Sequence, residues 1–209
     1  MDNYCIELKT KELRAHLLIT SKDAVRYYIA GINIKTSNNT YRLASTDGHR
    51  LLVTYPASID NYSPLDITIA NNDIKRIVTS NKNEFVTFKV ENNKYYLDQL
   101  EIIPIDGDYP DIKRVIPDYD ELETNDQPVI QSHFNFSYLN DAAKVSKLLD
   151  NNAMPVLYPN KTQNSAAIIG FNKGFMVLLP MRNNTSDEDR ARLKLNLLDI
   201  SNTSNKQAA

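Results

Sequence analysis

The chain has 209 residues, 42% of them apolar and 24% charged, the balance of an ordinary globular protein long enough for one or two packed domains. A formal charge of −2 excludes a protein whose whole surface coats nucleic acid, while leaving room for a basic face on an acidic body. No apolar run reaches membrane-spanning length, Met1-Asp2-Asn3-Tyr4 opens without a basic and apolar leader, and the single cysteine, Cys5, cannot close an intrachain disulfide, so a reducing cytoplasm is the expected setting.

Along the chain the same order of elements recurs three times. The first module opens with a strand-like Tyr4-Cys5-Ile6-Glu7-Leu8. A helix over residues 10–18 follows, with Thr10 as its predicted N-cap and Leu13, Leu17 and Leu18 on one face. Strands are predicted over residues 27–35, 41–45 and 51–55, with Asn38-Asn39 turning between the first two. The second module repeats this plan. Asp66-Ile67-Thr68-Ile69 is its first strand, Asn72 caps a short helix carrying Ile74, Ile77 and Val78, and residues 85–90 alternate as a strand. Asn92-Asn93 turns, and residues 95–105 return. Carboxylate-rich residues from Asp118 to Gln127 read as a linker. The third module starts at Phe134-Asn135-Phe136 as a strand, continues as a helix from about Ser137 bearing Leu139, Ala142, Val145 and Leu148, and ends with strands at 155–158, 166–169 and 175–179. After residue 182 the composition turns polar, with one amphipathic patch, Leu193-Lys194-Leu195-Asn196-Leu197-Leu198.

Enzymatic frames are missing. There is no Gly-x-Ser-x-Gly elbow, P-loop or Gly-x-Gly-x-x-Gly, and five glycines in all leave little scope for one. His16, His49 and His133 are scattered, and Asp47 with His49 has no accompanying nucleophile, so a non-enzymatic protein without metal or cofactor is expected.

Three segments share one resemblance. Leu43-Ala44-Ser45-Thr46-Asp47-Gly48-His49-Arg50-Leu51-Leu52, Asp108-Tyr109-Pro110-Asp111-Ile112-Lys113-Arg114-Val115-Ile116-Pro117 and Phe175-Met176-Val177-Leu178-Leu179-Pro180-Met181-Arg182 resemble, in order and spacing, signature segments of the bacterial DNA polymerase III β sliding clamp. Taken singly, Thr46-Asp47-Gly48 is a turn, the two prolines are loop punctuation, and residues 177–179 are a core strand. Only the joint pattern points to the family. The resemblance implies an α+β DNA-clamp fold, in which strand–helix–strands modules set helices on one face and antiparallel sheets on the other. On that template residues 1–117 correspond to the middle clamp domain, with modules at about 1–58 and 64–117. Residues 118–133 are a linker, 134–182 correspond to the C-terminal half of the last domain, and 183–209 are a tail. The first domain and the first half of the last one have no counterpart.

The resemblance further implies a pocket for short peptides of the Gln-Leu-x-Leu-Phe kind, carried by polymerases and other replication proteins. It assigns to that pocket Arg26, Tyr28 and Ile29, then Thr46, Gly48, His49, Arg50 and Leu51, then Pro110, Arg114 and Val115, then Val177, Leu178, Leu179, Pro180, Met181 and Arg182, with Ser165 as a weaker match. If the helices line one face, Lys9, Lys11, Arg14, Lys22, Lys75, Arg76, Lys82, Lys144 and Lys147 would offer duplex DNA a sequence-independent basic track. The expected function is a reduced clamp and processivity factor, of a kind a phage or mobile element could carry. The alternative is a clamp mimic without a ring, acting as adaptor or competitor. Because the last domain is half present, two orphan halves are expected to pair across chains, and four chains of three modules would restore the family's twelve.

Overall fold

In the computed structural model, the described residues are 4–22, 25–37, 40–55, 63–80, 82–122, 133–151, 155–162 and 165–181. The first module comprises β1 (Tyr4–Lys9), α1 (Thr10–Leu17), β2 (Gly31–Ser37), β3 (Thr40–Thr46) and β4 (Arg50–Thr54). The second comprises β5 (Asp66–Ala70), α2 (Asn71–Ser80), β6 (Phe85–Glu91), β7 (Lys94–Leu97) and β8 (Leu100–Ile102). The third holds α3 (Phe136–Leu149), β9 (Val156–Tyr158), β10 (Ala167–Phe171) and β11 (Gly174–Leu178).

The first two modules exchange their leading strands. Strand β1 adds to the second module's sheet, giving the order β1-β6-β7-β8, and β5 adds to the first module's β2-β3-β4. One continuous core fills the space between these sheets and the helices. Val86, Phe88 and Val90 of β6, Ile6 and Leu8 of β1, Leu13 of α1 and Ile74 of α2 all belong to it. The period-2 burial of β6 is what its sequence alternation dictates, since one face meets helices and the other faces solvent. Asn92 and Asn93 take positive φ values of 50° and 61°, the geometry of a tight hairpin turn that asparagine tolerates.

The third module joins by strand pairing. Antiparallel pairing of β4 with β11 extends the first module's sheet into a seven-stranded one, β5-β2-β3-β4-β11-β10-β9. Gly174 sits where a Cβ would lie 2.1 Å from Val53 O, so the strands can close at this point only around glycine. On the opposite side of this sheet α3 packs against α1, which also packs against α2. The three helices therefore share one face, and the α+β architecture of antiparallel sheets backed by helices is present as the sequence leads one to expect.

Several local expectations are corrected. Thr10 is the first helical residue rather than the cap. Lys9 occupies the N-cap without a capping side chain, and Thr10 Oγ1 instead donates to Asn83 O at 2.8 Å, tying the helix start to the second module. Helix α2 starts at Asn71, one residue before the predicted cap, and Asn71 Nδ2 donates to Ser21 O. Residues 27–29 form a 3-10 turn, so β2 begins only at Gly31. The predicted strand at Phe134-Asn135-Phe136 does not form. Asn135 caps α3 by accepting from Ser137 N, and Phe136 is already helical. The linker also carries structure at its start. Residues 119–121 make a 3-10 turn, Leu122 is buried, and Leu122 bridges to Asn160. The Asn38-Asn39 turn, the rest of the linker to residue 132, Arg182 and the tail lie outside the described residues.

Candidate functional site

At the β4–β11 seam the outer face of the sheet is floored by Ala44, Leu51, Val53 and Val177, with Ile112 laid over them. Above this floor opens a cavity of about 200 Å³, mostly apolar, lined by Arg26, Tyr28, Ile29, Thr46, Gly48, Arg50, Leu51, Pro110, Asp111, Ile112, Val115, Val177 and Leu179. Four separate stretches of chain converge on it: the 27–29 turn, the β3–β4 hairpin, the 110–115 segment and the end of β11.

The hairpin is held by its own side chains. Thr46 Oγ1 donates to Arg50 O at 2.7 Å and accepts from Gly48 N at 3.0 Å, while Asp47 Oδ1 accepts from His49 N at 2.9 Å. Gly48 has φ +90°, which favours glycine, and the Arg26 guanidinium lies against it, 2.3 Å from where a Cβ would be, so a side chain there would also push Arg26 aside. Arg50 is only 8% exposed. It donates to Asp47 (Nε, 3.0 Å), to Asp141 of α3 (Nη1, 2.8 Å) and to Leu18 O (Nη2, 3.1 Å), and it lies 4.5 Å from the centre of the Tyr138 ring. Burial by itself would raise the Asp141 carboxyl. Hydrogen bonds from Lys144 and Arg50, with their charges, outweigh it and hold the group below the usual carboxylate range. Arg50 is thus the clasp between hairpin, α1 and α3, as well as a lining residue of the cavity.

The structure brings together most, but not all, of the residues singled out in the sequence. Arg26, Tyr28, Ile29, Thr46, Gly48, Arg50, Leu51, Pro110, Val115, Val177 and Leu179 line the cavity. Strand alternation removes Leu178, which points to the opposite face into the helix-backed core. His49 instead stacks on Tyr138 at 6.3 Å, its carbonyl accepting from Leu179 N. Arg114 projects into solvent beside Asp111, Met181 is exposed with its N–H on His133 O, and Ser165 bonds to Thr162 away from the groove. Pro180 is not among the lining residues, and Arg182 lies outside the described residues. Asp111 and Ile112 were missed. The signal was available: Asp111 Oδ1 accepts from Lys113 N and starts a 3-10 turn over 112–114, which turns Ile112 inward and Arg114 outward.

A second depression lies at the N-terminal end of α1. About 640 Å³ in volume, it is bordered by Lys9, Lys11, Arg14, Lys82 and Lys173, by Glu12 and Glu84, and by Leu148, Leu149 and Asn151 of the third module. It gathers four of the nine basic residues singled out in the sequence and adds Lys173, from the β10–β11 turn. Arg14 Nη2 donates to Val78 O, and Lys144 is paired with Asp141. Lys22, Lys75, Arg76 and Lys147 are exposed elsewhere. Burial raises the Glu12 carboxyl, opposed by a hydrogen bond with Thr54 and by the charges of Lys173 and Lys9. His16, one turn along α1, is fully buried, with Nδ1 2.8 Å from Ser45 Oγ and Nε2 2.9 Å from Thr54 Oγ1, and desolvation pushes its pKa down to about 3. It is a neutral core histidine.

Residues 8–111 match the family described as DNA polymerase III beta subunit, central domain. The chain belongs to the DNA polymerase III β sliding-clamp family. Solved sliding clamps carry the same fold. The one from Bacillus subtilis aligns with TM-score 0.68 at 14% identity, over 86% of this chain and 64% of that one. A Pseudomonas aeruginosa clamp aligns at 0.67 and 17%, over 87% and 66%. The Thermotoga maritima β subunit aligns at 0.65 and 15%, over 86% and 65%. This clamp-family chain spans just under two thirds of the length of these relatives. No curated protein sequence matches it.

Proposed function

We propose that this clamp-family protein is a replication factor whose groove at the β4–β11 seam takes short apolar peptides carried by polymerases and related proteins. The observation that carries this reading is the convergence of Tyr28, Ile29, Leu51, Val115, Val177 and Leu179 around one cavity rimmed by Arg26 and Thr46. Burying one leucine or phenylalanine there contributes about 1.5–3 kcal/mol, so two anchors supply about 3–6 kcal/mol and the peptide's other contacts must add the rest for micromolar binding. The test is a fluorescence-anisotropy titration with a labelled Gln-Leu-x-Leu-Phe peptide. Val115→Asp with Leu179→Asp should weaken binding about tenfold or more. A wild-type chain that does not bind the peptide overturns the reading.

On the helical face, the Lys9, Lys11, Arg14, Lys82 and Lys173 group supports contact with duplex DNA phosphates, as a processivity factor requires. Lys11→Glu with Lys82→Glu should weaken DNA binding and flatten its salt dependence. Lys75→Glu with Arg76→Glu, on exposed α2, should weaken it less. The chain is proposed to act as a homo-oligomer joined through the half-domain. A second reading, an adaptor or competitor without a ring, is favoured by the sheet edges at β8 and β9, which leave a single chain open at both ends. Retention on circular but not linear DNA discriminates, and only the ring gives it.

A further inference from the structure

We infer that two copies of this chain complete one another's third module by exchanging the segment in front of α3, each laying residues 133–135 beside the other's β9. The inference rests on the oligomeric reading above and is independent of the peptide groove.

The first two modules supply the rule. In each, the strand leading into the helix leaves its own module and pairs with the second strand of its neighbour: β1 with β6, and β5 with β2. The register is the same both times. The residue just before the helix meets the first residue of the receiving strand, Lys9 with Phe85 and Ala70 with Gly31. The next one back meets the second, Leu8 with Val86 and Ile69 with Ile32, and all four of these are buried. The first helical N–H then closes the ladder: Thr10 N donates to Glu84 O and Asn71 N to Ala30 O.

In the third module neither ladder of this exchange is formed among the described residues. Strand β9 corresponds to β2 and β6, and among the described residues it ends the seven-stranded sheet. All three of its residues are apolar and open to solvent, Val156 at 52%, Leu157 at 43% and Tyr158 at 39%, whereas the corresponding positions of β2 are buried. Of the segment that should be exported, Phe134 and Asn135 join no ladder among the described residues, and His133 O accepts from Met181 N. Phe136, at the start of α3, is 85% exposed. An uncovered apolar strand edge is an association site.

The occupant is a second copy. Residues 118–133 are too few to build the absent half, since a module takes Tyr4–Thr54 in the first case. Applying the register rule, Asn135 of one copy meets Val156 of the other and Phe134 meets Leu157. The rule requires an inward apolar pair at that second step, and both residues there are apolar. The sheet already runs continuously across one domain boundary through β4–β11, and the exchange would carry it across a second. The two α3 helices would then lie side by side, as α1 and α2 do within the complete domain.

The test uses the full chain with Cys5→Ser, so that no native thiol interferes. Asn135→Cys and Val156→Cys are made separately, one tagged to differ in mass, mixed, and oxidised. A disulfide joining the two variants in good yield is expected, because facing antiparallel residues bring their Cβ atoms within disulfide reach. A Val156→Cys chain that couples only to itself would mean direct edge-to-edge pairing and overturns the exchange. Light scattering of the unmodified protein across a concentration series should give a multiple of 23.8 kDa. Leu157→Asp should weaken the association about tenfold or more. A monomer at every concentration, with the edge filled by the chain's own tail or by nothing, overturns it as well. The peptide titration run on the same samples keeps this outcome separate from that of the groove: a monomer that still binds peptide rejects the exchange alone.

Discussion

The first two modules and the third share the same order of elements, yet they are held together differently. The first two modules trade strands and enclose a core that belongs to both, from Ile6 and Leu8 through Ile32 and Ile34 to Phe88 and Leu97. Among the described residues the third module has no such traded core. Its buried residues on the helical side, Ala142, Val145, Ile169, Met176 and Leu178, cluster with Ala15 of α1, Ile19 just beyond it and Leu52 of β4, while Val177 of β11 joins Ala44, Leu51 and Val53 on the outer face. Beside the β4–β11 ladder, a further attachment is electrostatic, through Arg50. A module, in other words, is half of a hydrophobic solution, and it must borrow the rest from a neighbour.

This difference can be broken experimentally. The largest effect is expected from Phe88→Ala, which hollows the shared core and should cost about 3–5 kcal/mol of global stability by urea denaturation. Val145→Ala should cost about 1–2 kcal/mol. Equal losses would mean that the two regions unfold as one equally packed body. Next comes Arg50→Ala. Removing a buried cation from Asp47 and Asp141 should cost about 3 kcal/mol, felt mainly by the half-domain. Amide hydrogen exchange should rise in β10 and β11 while β6 stays protected, and a uniform rise would deny Arg50 its role as clasp. Gly48→Ala, forced into a positive φ against Arg26, should cost about 1–3 kcal/mol and weaken peptide binding.

The last effect appears only on acidification, a pH dependence carried by buried His16. His16 titrates near 6.5 when unfolded and at about 3 when folded, so the unfolded state binds the proton first. This contribution is fully present above pH 6.5 and is lost as pH falls towards 3, at a slope of at most about 1.4 kcal/mol per pH unit. His16→Gln should flatten the profile between pH 6.5 and 5, and an unchanged slope would place the dependence on other groups.

The sequence by itself determined the repeating order of elements, the inward face of β6 and the Asn92-Asn93 turn. All three follow from side-chain period and backbone preference within a few residues. It also carried the family resemblance and most of the groove, because the hairpin around Gly48 and the alternation of β11 are local. Alternation even held the means to remove Leu178, opposite in parity to Val177 and Leu179. Tertiary structure alone decided what depends on a neighbour. Phe134 and Asn135 have a plausible strand pattern, but a strand needs a ladder partner, and without one Asn135 becomes a helix cap. Thr10 reads as a cap, but the carbonyl of Asn83, more than seventy residues away, takes its hydroxyl. Arg50 reads as one more groove residue until Asp141 and Tyr138 of α3 arrive beside it. Local chemistry fixes what a segment can form, and long-range pairing fixes whether it does.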